Sequence, residues 1–362
     1  MPLTALESRT FHKLRIASTA PETDEALTLT FDIPPELQPT FAFHPGQYLT
    51  LLANVGNEDL RRSYSICSGP GEPLRVAIKH VDQGRFSTWA HETLAPGHEI
   101  ETLPPAGRFI LPPATGPRSI LAIAAGSGIT PILAILKTLL HNEPSSQAAL
   151  LYGSRTTAGI LFRDELETLK DKHLDRFSLL HVLSREQQDI PMASGRLDGP
   201  KIAALLPSLF PGALPDLAFL CGPGPLIQTA SAALEAAGLT SDRIRSERFS
   251  LDGEPDRPLR ATSSGAAAVP HATARIIADG VATLVPIAED ETVLEAALRA
   301  GLDLPYSCRA GMCSTCRARV TEGTVTMDVN YGLEPWETAQ GYVLTCQSRA
   351  ASGHVVIDYD HV

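Results

Sequence analysis

The stretch Ser119-Ile120-Leu121-Ala122-Ile123-Ala124-Ala125-Gly126-Ser127-Gly128-Ile129-Thr130-Pro131 decides how the middle of this chain folds. Its first seven residues are an apolar run of strand length, the pattern of a buried strand. Gly126-Ser127-Gly128 breaks the run, and residues 131–140 then follow a helical period. Further on come an apolar strand at Ala148–Tyr152, a helical stretch at Arg163–Lys172, and strands at Leu179–Leu183 and Ala218–Cys221, followed by a helix at Leu226–Ala237. Strand and helix alternate, which predicts an α/β doubly wound parallel sheet over residues 113–250.

Towards the N-terminus the pattern changes. Residues 1–112 carry alternating or β-branched runs at Phe11–Ile16, Leu27–Phe31, Gln47–Leu52 and Leu74–Lys79. Breaks at Pro34-Pro35, Pro45-Gly46 and Gly69-Pro70-Gly71 separate them, so a barrel or sandwich of short strands is expected. Towards the C-terminus, 251–271 has little periodicity and is rich in Pro, Gly, Ser and Ala, as a linker is. Twenty flexible residues span about 25 Å r.m.s.. Residues 272–362 begin with a hairpin, Arg275–Ala278 and Ala282–Pro286 around Asp279-Gly280, which is type I′ turn chemistry. An amphipathic helix at Glu291–Ala300, closed by Gly301, follows, then a cysteine loop and short strands. No internal repeat is apparent.

A chain of 362 residues has room for two or three domains. Its net charge of −11 argues against a nucleic-acid surface, which needs clustered Lys and Arg. Residues 271–362 hold 12 Asp and Glu against six Arg and no Lys. This acidic quarter can steer onto a basic partner or be simply a solvated surface. There is no leader-like segment, and the longest apolar run, Ile120–Ala125, is far too short to span a bilayer. A cytoplasmic protein without a membrane partner is expected.

Four of the six cysteines, Cys308, Cys313, Cys316 and Cys346, fall in the last 60 residues. Cys308-x4-Cys313-x2-Cys316, with Cys346 thirty positions on, has the spacing of plant-type [2Fe–2S] ferredoxins. Four thiolates must converge on a small cluster, so the chain has to wrap tightly and turn its N–H groups to the sulfurs. Ser307, Ala310, Gly311, Ser314 and Thr315 are small enough to permit this. A structural zinc site is the alternative, although zinc usually takes two C-x2-4-C knuckles. A Rieske cluster is excluded, since the loop has no histidines to serve as its ligands.

Arg62-Ser63-Tyr64-Ser65 and Gly84-Arg85-Phe86-Ser87 are each weak motifs, compatible with plain packing. Together they offer a cation, an aromatic cover, a hydroxyl and a Gly–Ser turn for a flavin and its pyrophosphate, with Phe86 and Lys79 alongside. Gly126-Ser127-Gly128-Ile129-Thr130 opens a helix and makes an anion site, or else just a tight strand–helix turn. Position 131 is Pro, so the G-x-G-x-x-G fingerprint is absent. Tyr152-Gly153-Ser154-Arg155 and Cys221-Gly222-Pro223 fall at strand ends, where such sheets bind ligands. Ser154 and Arg155, assisted by Arg163, can hold a 2′-phosphate, which favours NADPH over NADH; Arg155 can equally be a solvated surface charge. No Walker phosphate loop, H-E-x-x-H or G-x-S-x-G occurs.

In order, these motifs resemble the ferredoxin–NADP⁺ reductase superfamily with a plant-type [2Fe–2S] domain fused at the C-terminus. The resemblance runs along essentially the whole chain. Leu60–Cys67, Ala122–Pro131, Glu247-Arg248-Phe249, Leu304–Cys308, Asn330–Pro335 and Gly341–Gln347 are most similar to reductase subunits of bacterial phenylacetyl-CoA epoxidases, multicomponent di-iron oxygenases. The resemblance implies a multidomain fold: an antiparallel β-barrel for FAD, the doubly wound domain for NAD(P), and an α+β (β-grasp) ferredoxin domain. It implies that Arg62, Tyr64 and Ser65 hold FAD, with Ser65 near N5, and that Gly84 and Ser87 contact the pyrophosphate. Gly126 to Thr130, including Ser127 and Gly128, would bind the nucleotide. Cys221, with Gly222 and Pro223, would sit beside the nicotinamide and Phe249 against the flavin, while the four clustered cysteines would ligate the cluster. The implied path runs from NADPH through FAD and [2Fe–2S] to an oxygenase component. Rival readings are a reductase for a Rieske or other ring oxygenase, a ferredoxin-like carrier without NADPH chemistry, and a zinc-containing interaction protein.

Overall fold

The computed structural model describes residues 10–250 and 271–361. The expected linker, 251–271, lies outside the described residues except for His271. The chain forms two compact units. The larger holds the barrel and the parallel sheet.

The barrel consists of β1 (His12–Thr23), β2 (Ala26–Asp32), β3 (Tyr48–Val55), β4 (Glu58–Ser65), β5 (Arg75–Lys79) and β6 (Glu99–Thr102). Their order is β4-β3-β6-β1-β2-β5. An Ile66–Val76 bridge joins the continuation of β4 to β5, so the two edges of the sheet meet at that point. Inward residues of the strands, among them Leu14, Ile16, Leu29, Leu49, Leu51, Val76 and Ile78, are fully buried in one core. The region is not purely β. Where the sequence predicts a Gly–Ser turn, a helix α1 (Arg85–Thr93) begins, with Gly84 as its N-cap.

The parallel sheet is β7 (Ser119–Ala125), β8 (Gln147–Ser154), β9 (Phe177–Leu183), β10 (Leu217–Pro223) and β11 (Ile244–Ser250), in the order β11-β10-β7-β8-β9. Helices α2 (Ile129–Asn142), α3 (Arg163–Lys172), α4 (Gly199–Leu209) and α5 (Gly224–Ala236) connect them. The strand order reverses at β7, which puts the crevice for a ligand at the carboxyl ends of β7 and β10. α4 has no clear signature in the sequence, because Pro200 and Pro207 interrupt its helical pattern. Pro200 stands in the first turn, where its missing N–H costs nothing, and the Asp198 side chain accepts the Lys201 N–H at 3.0 Å to cap the helix.

The smaller unit contains β12 (Ala272–Ala278), β13 (Val281–Ile287), α6 (Val293–Arg299), β14 (Arg317–Glu322), β15 (Val325–Met327), α7 (Pro335–Ala339), β16 (Tyr342–Leu344), β17 (Ser348–Ala350) and β18 (His354–Asp358). Its main sheet runs β13-β12-β18-β14-β16, with β12 and β18 parallel at the centre and the other pairs antiparallel. Asp279 and Gly280 have φ of 53° and 72°, as a type I′ turn demands. Thr292 and Glu295 form a reciprocal capping box on α6. Among the described residues no helix is long and apolar enough to cross a membrane.

Candidate functional site

Arg62, Tyr64 and Ser65 occupy the end of β4, and Gly84, Phe86 and Ser87 the start of α1. The rings of Tyr64 and Phe86 are 5.7 Å apart, so the structure does bring the two weak motifs together. The turn is closed locally: the Ser87 hydroxyl accepts the Val81 N–H and donates to the Gly84 carbonyl, both at 3.1 Å. A Cβ at Gly84 would lie 2.7 Å from that hydroxyl oxygen and 2.8 Å from the Val81 Cβ, so glycine is required. The first N–H groups of α1 have no carbonyl partner within the helix and suit a phosphate. The Lys79 ammonium lies 3.2 Å from Glu25 and, through that hydrogen bond and its charge, holds the Glu25 carboxyl below its usual range.

Gly126-Ser127-Gly128 forms a single 3₁₀ turn between β7 and α2. Gly126 is left-handed, with φ of 55°, and its carbonyl accepts the Tyr152 hydroxyl at 3.0 Å. The same hydroxyl accepts the Leu161 N–H at 3.3 Å. Burial pushes the Tyr152 phenol far above its ordinary range, so it stays a donor. Thr130 donates to the Ser127 carbonyl at 2.9 Å. A Cβ on Gly128 would meet the Cys221 carbonyl oxygen at 2.2 Å, so the loop rests directly on the backbone of β10. Cys221 pairs with Ala124 across the sheet and is fully buried, which raises its thiol well above the usual range and keeps it neutral.

Ser154 is buried at the end of β8, and Arg155 beside it is exposed. Arg163 opens α3 and pairs with Glu167 at 3.0 Å on the solvent face. Phe249, on β11, packs half-buried against the core shared by β7 and α2.

In the smaller unit the cysteine loop turns its backbone inward. The N–H groups of Ala310, Met312 and Cys313 point at the Cys308 sulfur at 3.3–3.4 Å, and the Cys308 N–H at the Cys313 sulfur. Thr315 donates to the Cys313 sulfur at 3.1 Å and Gln347 to that of Cys346 at 3.5 Å. Arg309, Gly311 and Ser314 all have positive φ. Two non-glycine residues in that region cost about 1 kcal/mol or more each and persist where surrounding bonds over-determine them. Electrostatic coupling pairs the thiols, Cys308 with Cys313 and Cys316 with Cys346. Bonding with the Cys313 sulfur, more than offsetting burial, pulls the Cys308 thiol down to about 7. Two pairs suit two metal ions taking two thiolates each. A single tetrahedral zinc would instead need all four sulfurs around one point. Donors aimed at sulfur favour bound thiolate. The residues present therefore fit a [2Fe–2S] cluster.

Tyr152 and Gln347 hold these loops, yet the sequence reading assigns them no such role. Tyr152 ties Gly126 to Leu161, and Gln347 donates to the Arg309 carbonyl, 38 positions away, at 2.7 Å, so neither leaves a local signal.

The comparisons with known proteins agree. Residues 13–110 match the oxidoreductase FAD-binding domain, 122–232 the oxidoreductase NAD-binding domain, and 276–351 the 2Fe-2S iron-sulfur cluster binding domain. The chain is 44% identical over 355 residues to one of the subunits of the 1,2-phenylacetyl-CoA epoxidase of Escherichia coli (strain K12), covering 97% of this chain and 98% of that one. It is 36% identical to the ferredoxin reductase component of 3-ketosteroid-9-alpha-monooxygenase of Mycobacterium tuberculosis, over 96% of both. Among solved structures, phthalate dioxygenase reductase superposes with a TM-score of 0.59 at 24% identity, over 96% of this chain and 98% of that one, a likeness of fold. The chain belongs to the ferredoxin–NADP⁺ reductase superfamily, in the family of oxygenase reductases that join FAD-binding, NAD-binding and [2Fe–2S] domains in one polypeptide.

Proposed function

We propose that this chain is the reductase of a cytoplasmic multicomponent oxygenase acting on phenylacetyl-CoA, with NADPH as its electron source. One observation carries this: over nearly the whole of both chains the identity is 44% to a phenylacetyl-CoA epoxidase component, against 36% to the ketosteroid monooxygenase reductase. We place the domains at 1–112, 113–250 and 272–362, with 251–271 as linker.

A bound flavin would supply the conversion of a two-electron hydride into single electrons, and a bound [2Fe–2S] cluster one-electron transfer. The chain's part is to bind, orient and separate. Arg62, with its cation, and the α1 N-terminus beyond Gly84 and Ser87 hold the flavin phosphates, and Tyr64 and Phe86 shelter its ring. The buried Ser65 hydroxyl sits at the flavin edge. Gly126 to Thr130 hold the nicotinamide nucleotide, with Gly222 and Pro223 completing the crevice. Cys221, being neutral, offers shape and no charge beside the nicotinamide. Ser154 and the exposed Arg155 read the 2′-phosphate; Arg163 joins them by giving up Glu167. Cys308, Cys313, Cys316 and Cys346 ligate the cluster.

The test mixes the protein with phenylacetyl-CoA oxygenase components under air and follows NADPH oxidation with and without phenylacetyl-CoA. Substrate-dependent oxidation with epoxide formation is expected. Steady dye reduction without substrate-coupled turnover would assign the chain to another oxygenase.

A further inference from the structure

Gly69-Pro70-Gly71 breaks the barrel sequence, and neither cofactor site uses it. It lies under the side chain of Lys137, from the middle of α2. A Cβ on Gly69 would lie 2.8 Å and 2.9 Å from Lys137 carbons, so glycine is what lets the lysine stem pass. Lys137 is 8% exposed, and its ammonium donates to Glu72 at 2.7 Å and 2.8 Å and to Glu165 on α3. Glu72 also accepts the Gly69 N–H at 2.8 Å. Glu165 takes both oxygens to one guanidinium nitrogen of Arg75, on β5, at 2.8 Å and 2.9 Å. That guanidinium lies 5.4 Å over the ring of Phe162, whose own N–H donates to Glu22 on β1 at 2.7 Å. Glu22, Glu72 and Arg75 belong to the barrel; Lys137, Phe162 and Glu165 belong to the parallel-sheet domain.

The chain of contacts leads to both cofactor motifs. On the barrel side, the Arg75 carbonyl accepts the N–H of Cys67, two residues from Ser65. On the other side, Phe162 follows Leu161, whose N–H meets the Tyr152 hydroxyl that holds Gly126. Lys137 itself stands in the helix that the Gly126 turn opens. Apolar contact between the domains is already present, since Ala26, Cys67, Ala77 and Phe109 share a core with Ile132, Ile135, Leu136 and Leu139 of α2. Such a face adheres but has no fixed register. Buried ion pairs add little net stability, because desolvation offsets attraction, yet they are directional.

We infer that Lys137, with Glu72, Glu165 and Arg75, forms a positioning network that sets the approach of the nucleotide loop to the flavin site. The inference rests on the reading of Ser65 and Gly126–Thr130 as those sites. Lys137→Met keeps most of the stem and removes the charge. It is expected to leave the KM for NADPH within about 2-fold and to slow single-turnover flavin reduction at least 10-fold, since misplacement of about 1 Å can cost up to 100-fold. Lys137→Arg is expected to recover part of the rate. Spin labels at exposed Glu36→Cys and Asp171→Cys on the full-length holoprotein give a second readout, in which the inter-label distance distribution broadens or shifts in Lys137→Met. Where that variant fails to fold, Glu72→Gln at the half-exposed rim is expected to give the same changes, smaller in size. An unchanged distance distribution with an unchanged flavin reduction rate would overturn the inference. Absence of bound flavin in the wild type, with labels that still respond to Lys137→Met, would overturn the reading of the sites instead.

Discussion

Gly128 leaves no room for a side chain, because the Cys221 carbonyl occupies the place a Cβ would take. Gly128→Ala must push the proposed nucleotide loop off β10, an overpacking that costs about 1–3 kcal/mol. A lower melting temperature and a raised KM for NADPH with flavin retained are expected. At Cys221, burial keeps the thiol neutral across the working range. Cys221→Ala should therefore lower the rate of NADPH-driven dye reduction without altering the shape of its pH profile. Loss of an inflection near pH 8–9 would instead mean the thiolate takes part. Cys313→Ser removes one proposed cluster ligand and the sulfur that receives the Thr315 hydroxyl. Reduction of a hydride-accepting dye should survive it, and cytochrome c reduction should vanish. Equal loss of both would mean the cluster is structural.

At the scale of elements, the sequence is most legible where backbone chemistry is local. Asp279-Gly280 must turn, Thr292 and Glu295 must cap, and the run Ile120–Ala124 must lie inside a sheet. α3 is expected at Arg163–Lys172 and is found there. α1 and α4 are illegible for opposite reasons: α1 has polar residues within a β-rich region, and α4 has two prolines. One element relation lies beyond sequence reading altogether. Arg317, next to Cys316 at the start of β14, pairs with Glu337 of α7 at 2.8 Å, with both side chains almost fully buried. Breaking a buried pair from one side strands a charge and costs about 3–5 kcal/mol. In Glu337→Ala the visible absorbance of the cluster should bleach at a lower temperature than in the wild type, while the melting of the flavin-binding unit stays put. A common shift of both transitions would show that α7 does not act locally.

Across the larger unit, the network at Lys137 has an acid-side signature. Burial alone raises the Glu72 carboxyl, but the Gly69 N–H and Lys137 outweigh it and hold it below its ordinary 4.5. A depressed carboxylate stabilises the fold above its unfolded value, and that contribution is lost as pH falls through the folded one. Glu22 behaves in reverse: burial raises it, so its contribution is present below the ordinary value and lost as pH rises through the folded one. The destabilisation caused by Glu72→Gln should therefore shrink below pH 4.5, and that caused by Glu22→Gln should grow there, as measured by thermal melting across pH. The motifs proposed for the two cofactors stand out in the sequence because each is a short string; Lys137 does not, because its partners stand 65 and 28 positions away.

The glycine under Lys137 also bears on how such reductases exchange parts by recombination. A crossover at 112/113 passes on Gly69, Glu72 and Arg75 without Lys137 and Glu165. The hybrid then inherits a groove with no lysine to fill it, or a lysine facing a Cβ. A crossover within 251–271 separates none of these residues. Chimeras built with a distant relative at the two positions should differ in flavin retention and in NADPH-driven dye reduction, with only the second kind keeping both. The heritable module is then the pair of N-terminal domains, with the iron–sulfur domain as the piece free to change hands.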